Sequence, residues 1–194
     1  MAGALDTSGG FKVIVHGVIE SAECVDAGLL YVRSQLVKGT DWRIDERTSA
    51  EKSSSIDIVT QLAERLPGPV PKFTWNSPFD IILHSTNPSG WPQIALGLTT
   101  LDANMKDIVK GYARCHVPMR PGTTTLDLPL MQPTYSTPQH RLFGSLSGAQ
   151  PELRDLTFLC HSDDRLVVTM KRAPGYIRVK FDVAMIGLSA LGYE

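Results

Sequence analysis

Two dipeptides, Cys115-His116 and Cys160-His161, place a thiol beside an imidazole, and both groups are ligand types for zinc. A structural zinc site needs four convergent ligands, whereas neighbours on a strand point to opposite faces, so either pair chelates poorly. The plainer reading is buried thiols and hydrogen-bonded imidazoles. His16 and His84 each stand alone in a strand-like run, where a histidine is more often structural than catalytic. Gly144-Ser145-Leu146-Ser147-Gly148 comes nearest to a nucleophile elbow, but it has leucine where the nucleophile belongs. No P-loop or dinucleotide fingerprint occurs. With no nucleophile, base and orienter in a recognisable arrangement, the expectation is a non-enzymatic binding module without metal or cofactor.

Length and composition agree with such a module. The 194 residues suit one domain, large enough to bury a core without staples. A net charge of −1 with interspersed signs argues against nucleic acid as the main partner. Three cysteines without a C-x-x-C fit free thiols in the cytoplasm better than a secreted disulfide framework. Residues 1–10 lack a basic and apolar leader pattern, and no apolar run approaches the ~18 residues of a membrane span. Neither candidate glycosylation asparagine qualifies, because Asn87 precedes Pro88 and Asn76-Ser77 runs into Pro78.

The elements that must position any binding surface read as strands. Phe11, Val13, Val15 and Gly17 alternate with Lys12, Ile14, His16 and Val18, and Leu29–Val37 forms a second run stopped by Gly39. Trp42 follows as a packing anchor. Asp45–Pro71 is a Ser-rich, charged insertion. Within it Ile56, Val59, Leu62, Ala63 and Leu66 fit one face of a short helix, and the composition fits a disordered segment equally well. Strands are then expected at Lys72–Trp75, Phe79–Ser85, Gln93–Thr99, Gly111–Val117 and Thr123–Leu130, each near Gly or Pro punctuation. A second long insertion near 131–165 contains a helical turn at His140–Leu146. Leu166–Met170 and Gly175–Val183 close the sheet, the latter with Ile177, Val179, Phe181 and Val183 on one face. The expected organisation is a flexible tail over 1–10, a domain over 11–184, and a tail or short helix over 185–194. Short strands without strand-helix-strand alternation predict an all-β antiparallel sandwich of about eight strands.

Several turn signatures occur together. Phe11-Lys-Val-Ile-Val-His-Gly-Val-Ile-Glu-Ser-Ala, Trp75-Asn-Ser-Pro, Ser85-Thr-Asn-Pro-Ser-Gly-Trp-Pro-Gln-Ile, Lys110-Gly-Tyr, His116-Val-Pro, Pro121-Gly and Leu191-Gly-Tyr follow one another in order, most densely over Trp75–Gly122. In these the chain resembles the B9-domain family over roughly Phe11–Tyr193. The resemblance implies a divergent C2-like sandwich at the cilium basal body and transition zone. It also implies association with two further B9-domain proteins, one of them the Meckel syndrome type 1 protein, in the tectonic-like complex that restricts entry to the cilium. The insertion Asp45–Pro71 and the connection Met131–Arg165 depart from the family pattern, so partner contacts there do not carry over.

The C2-like resemblance raises the question of calcium, which takes six to eight oxygen ligands. By that likeness Glu23–Arg33 is the first loop, with Leu29 where an aspartate is needed and Glu23 or Asp26 as the remaining donors. The second loop keeps Asp102 and Asp107 but has Thr100 at the first position and adds Lys106, so its acidic residues read as turn caps. Calcium-independent contact with phospholipid is the alternative function: Lys171 and Arg172, with Arg178 and Lys180, form a small basic patch that Asp182 weakens. Trp75, Trp91 and Tyr112 are expected as anchors, fixing turns by packing or meeting a partner.

Overall fold

The computed structural model describes residues 10–25, 27–45, 56–102, 104–147, 150–161 and 170–188. The strands are β1 (Phe11–Glu23), β2 (Leu29–Val37), β3 (Arg43–Ile44), β4 (Asp57–Val59), β5 (Ala63–Glu64), β6 (Lys72–Ser85), β7 (Gln93–Leu101), β8 (Asp107–His116), β9 (Gly122–Pro133) and β10 (Met170–Ile186). One helix, α1 (Pro138–Ser147), and a 3₁₀ turn over Leu156–Cys160 lie between β9 and β10.

The strands follow the order β3-β6-β1-β10-β9-β8-β7-β2-β4, with β5 also on β2, and every pairing is antiparallel. Most neighbours share long ladders. The short β3 and β4 pair over two and three residues, and among the long strands the exception is β8 with β9, which meet through the single pair Tyr112↔Met131. Here the curled sheet folds over into two layers. Alternation sends Val13, Val15 and Ile19 of β1, Ile81 and Leu83 of β6, and Ile177, Val179, Phe181 and Val183 of β10 inward. They meet Leu30 and Val32 of β2, Ile94, Leu96 and Leu98 of β7, and Ala113 and Cys115 of β8 in one continuous core. The expected all-β antiparallel sandwich is therefore the observed fold, with ten strands rather than about eight because the short β3, β4 and β5 add to the count, and with Ile177, Val179, Phe181 and Val183 facing inward as read from the sequence.

Three rings close one end of the sandwich. Phe11 packs edge-on to Trp42 at 5.3 Å between centroids, Trp42 edge-on to Trp91 at 5.0 Å, and Phe11 lies parallel to Trp91 at 6.4 Å. Each indole also donates: Trp42 Nε1 to the Ser89 carbonyl at 2.9 Å and Trp91 Nε1 to that of Val117 at 2.8 Å. The approach needs Gly90, whose φ is +66° and whose Cβ, if present, would lie 2.6 Å from Gly39 Cα. Trp42 is thus the anchor anticipated from the sequence.

Several local readings change. The two strands expected over Lys72–Ser85 are one strand, whose register against β1 shifts between Thr74 and Ser77, where Asn76 takes a φ of +47°. The stretch 56–66 is not a helix. Its alternation of buried Ile56, half-buried Ile58 and buried Thr60 against exposed Asp57 and Val59 is a period of two, and the chain runs as an interrupted edge strand along β2. Thr60 fastens it twice: its N–H donates to the Val32 carbonyl and its Oγ1 accepts from the Val32 N–H, both at 2.9 Å. The helical turn expected at His140–Leu146 is present as α1, and β9 continues to Pro133 before the second connection begins. β10 extends from Met170 to Ile186, beyond the expected Gly175–Val183. The expected tail over 1–10, except Gly10, and residues 46–55, 162–169 and 189–194 lie outside the described residues.

One strand is buried on both faces. The side of β7 away from the core carries Ala95, Gly97 and Thr99, and the segment 150–161 packs onto it. A Cβ on Gly97 would sit 3.1 Å from Leu156 Cδ2, so the small residues make room for the 3₁₀ turn. Tyr112 Oη accepts the Leu153 N–H at 2.9 Å and holds the segment in place.

Two outcomes are expected from this packing. Trp42→Ala removes the ring common to both edge-on contacts and should lower the free energy of unfolding by about 3–5 kcal/mol in denaturant titration. Burial pushes the Cys115 thiol from 9.0 up to about 12. Between those values the unfolded chain has lost a proton that the folded chain keeps, so stability falls as pH rises. Unfolding measured across that alkaline window should weaken less steeply in Cys115→Val, by up to about 4 kcal/mol at its upper end.

Candidate interaction surfaces

The tryptophan and tyrosine anchors are engaged within the domain. Trp75 is half-buried and donates Nε1 to the Leu30 carbonyl at 3.2 Å, tying β6 of one layer to β2 of the other. Trp91 is half-buried in the ring cluster. Tyr112 is almost fully buried, which raises its phenol above its usual range.

The four basic residues proposed from the sequence fall at two places along β10, on either side of a register shift. Arg178 makes a two-pronged pair with Asp127 on β9, with Nε to Oδ1 at 2.6 Å and Nη2 to Oδ2 at 2.8 Å. That guanidinium holds the Asp127 carboxyl below the usual carboxylate range. Lys180 stands between Arg178 and Asp182 on the same outer face. Lys171 and Arg172 are not in a turn but within β10, before a register shift to Tyr176 that needs Gly175 at a φ of +114°. The bulge separates them from Arg178 and Lys180.

The acidic loops hold themselves together. Asp102 Oδ1 accepts the N–H groups of Asn104 and Lys106 at 2.7 and 2.8 Å, forming a cap over its turn. Thr100 donates Oγ1 to the Leu29 carbonyl at 2.6 Å, and Glu23 accepts the Tyr176 hydroxyl at 2.7 Å. Asp26 lies outside the described residues. Among the described residues no three His, Cys, Asp or Glu side chains gather as metal ligands. His116 and Cys115 take opposite faces of β8, exposed and buried respectively. His16 and His84 pair with Asp80 at 2.6 Å and Asp45 at 3.2 Å.

Sequence reasoning missed two surfaces. Beside β2, the interrupted edge strand and the chain after it expose Val59, Leu62, Leu66 and Val70. At the end of the sandwich opposite the ring cluster, where β8 and β9 part, a cleft of about 870 Å³ opens between β8, the start of β10 and the first turn of α1. The spacing of Leu142, Phe143 and Leu146 could have indicated an apolar helix face. No local pattern could have said that this face points outward.

The family model B9-C2, described as "Ciliary basal body-associated, B9 protein", matches residues 13–184. The chain is 33% identical to B9 domain-containing protein 1 of Xenopus laevis, over 95% of this chain and 89% of that one. Against B9 domain-containing protein 1 of Homo sapiens the identity is 31%, covering 95% and 86%. B9 domain-containing protein 2 of Rattus norvegicus is 26% identical, covering 79% and 82%. Among solved structures, the C2A domain of plant Extended Synaptotagmin 1 aligns at a TM-score of 0.43 and 14% identity, covering 89% of this chain and 95% of that one. The family match spans the sandwich from β1 into β10, and the chain belongs to the B9 family of ciliary basal body-associated proteins.

Proposed function

We propose that the chain is a non-enzymatic structural subunit of the ciliary transition zone. It assembles with other B9-domain proteins, B9 domain-containing protein 2 and the Meckel syndrome type 1 protein, and with subunits of the tectonic-like complex. In that assembly it supports cilium formation and the diffusion barrier between ciliary and plasma membranes.

Family membership supplies the ciliary setting, and the edge along β2 is the observation that carries the assembly. A sheet edge offers backbone groups for pairing, and natural domains usually protect it with charge, cover or a bulge. Here the last strand of the order is three residues long, and apolar Val59, Leu62, Leu66 and Val70 stand exposed beside it. Apolar side chains grouped on one surface are the usual mark of a protein contact. A second sandwich laid along this edge would bury them and supply partners for the short strand. A stable contact requires about 1,600 Å² in total, more than the edge residues alone provide, so neighbouring loops share it.

The test is co-expression with B9 domain-containing protein 2 and the Meckel syndrome type 1 protein, followed by size-exclusion chromatography. One co-eluting species is expected. The double variant Val59→Lys, Leu66→Lys should weaken association by about tenfold to a hundredfold while the isolated chain keeps its melting temperature, since both positions are exposed. A folded chain that elutes alone in the presence of both partners would remove this reading.

A further inference from the structure

Helix α1 is turned the wrong way for a helix that merely packs. Its first turn is capped by Thr137, whose Oγ1 accepts the His140 N–H at 3.2 Å, and Pro138 sits at the first helical position. The buried side of the helix is Gly144, where a Cβ would lie 2.2 Å from the Tyr135 hydroxyl oxygen. Leu142, Phe143 and Leu146 are 61%, 68% and 77% exposed. At 3.6 residues per turn these three side chains fall within an arc of about 100°, directed away from Gly144. The apolar stripe that would ordinarily seat such a helix on its domain faces out.

The same helix walls the open cleft, and the cleft is cationic. Lys110 comes from β8, Arg141 from α1 and Lys171 from β10. Among the described residues lining it there is no Asp or Glu, and none of the three cations forms an ion pair with a described carboxylate. Gln132 and Ser136 add neutral hydrogen-bonding groups. α1 itself carries His140 and Arg141 and no acidic residue, and Arg172 is exposed next to Lys171.

Exposed leucine and phenylalanine beside uncompensated lysine and arginine match the two layers of an anionic lipid surface, an acyl boundary below a sheet of phosphates. A neutral apolar protein groove would satisfy the stripe but leaves the cations unexplained. We propose that α1 and the adjoining cleft form a calcium-independent docking site for anionic phospholipid membranes. Leu142, Phe143 and Leu146 enter the interface, and Lys110, Arg141 and Lys171 take lipid phosphate groups. The set differs from the Arg178 and Lys180 face, where the strongest cation is already paired with Asp127. The inference does not depend on assembly with sibling B9-domain proteins.

Flotation of the full chain with vesicles, in the presence of EDTA, tests the site. Binding is expected to phosphatidylcholine vesicles containing phosphatidylserine and not to phosphatidylcholine alone, and it should weaken with added salt. The double variant Leu142→Ser, Phe143→Ser should lower binding by about tenfold or more, and the triple variant Lys110→Glu, Arg141→Glu, Lys171→Glu by about a hundredfold or more. Thermal melts confirm that both variants remain folded. A parallel titration with inositol hexakisphosphate separates the sources of phosphate: binding of this soluble ester without any binding of vesicles would overturn the membrane assignment. So would equal binding to neutral and anionic vesicles. Loss of co-elution with sibling proteins in the Leu142, Phe143 variant, with vesicle binding unchanged, would reassign the face to a protein contact.

Discussion

The contact among Phe11, Trp42 and Trp91 decides which end of this sandwich is closed. Phe11 opens β1, Trp42 follows β2, and Trp91 precedes β7, so three separate chain segments converge on one aromatic cluster. The indole donors reach carbonyls on the turns themselves, joining the apolar burial to hydrogen bonds that fix the loops. Among the described residues no ring cluster ties the far end, where β8 and β9 share a single backbone pair and the cleft lies open.

Function follows the same division. The sealed end and the doubly covered β7 supply rigidity, while the edge along β2 and the α1 end hold groups of exposed apolar residues, and the α1 end adds cations that form no ion pair with a described carboxylate. The proposed assembly and the proposed membrane contact need two surfaces that do not compete. The β2 edge and the α1 cleft lie on different elements, so the two proposed contacts do not overlap.

Much of the fold was legible in the sequence because period-two burial is a local signal. Ile177, Val179, Phe181 and Val183 announced their face, as did Phe11, Val13 and Val15. Residues 56–66 misled because Ile56, Val59, Leu62, Ala63 and Leu66 fit a helical period, while Ile56, Ile58 and Thr60 fit a strand period in the same window. The bond pair between Thr60 and Val32, distant in sequence, settles the choice for the strand. The candidate site was less legible. Lys171 was identified from its charge, but its partners Lys110 and Arg141 come from elements that meet only in the folded chain. Arg178 looked equally free until β9 placed Asp127 beside it.

The double burial of β7 has an evolutionary side. A strand in an ordinary sandwich keeps one face open to drift, and that face is where related domains can acquire new partners at little cost. Ala95 and Gly97 on β7 have no such latitude, because the outer face is occupied by Leu156 and its neighbours as firmly as the inner face is by the core. Divergence among domains built this way would therefore be channelled to the sheet edges and the α1 end, away from β7.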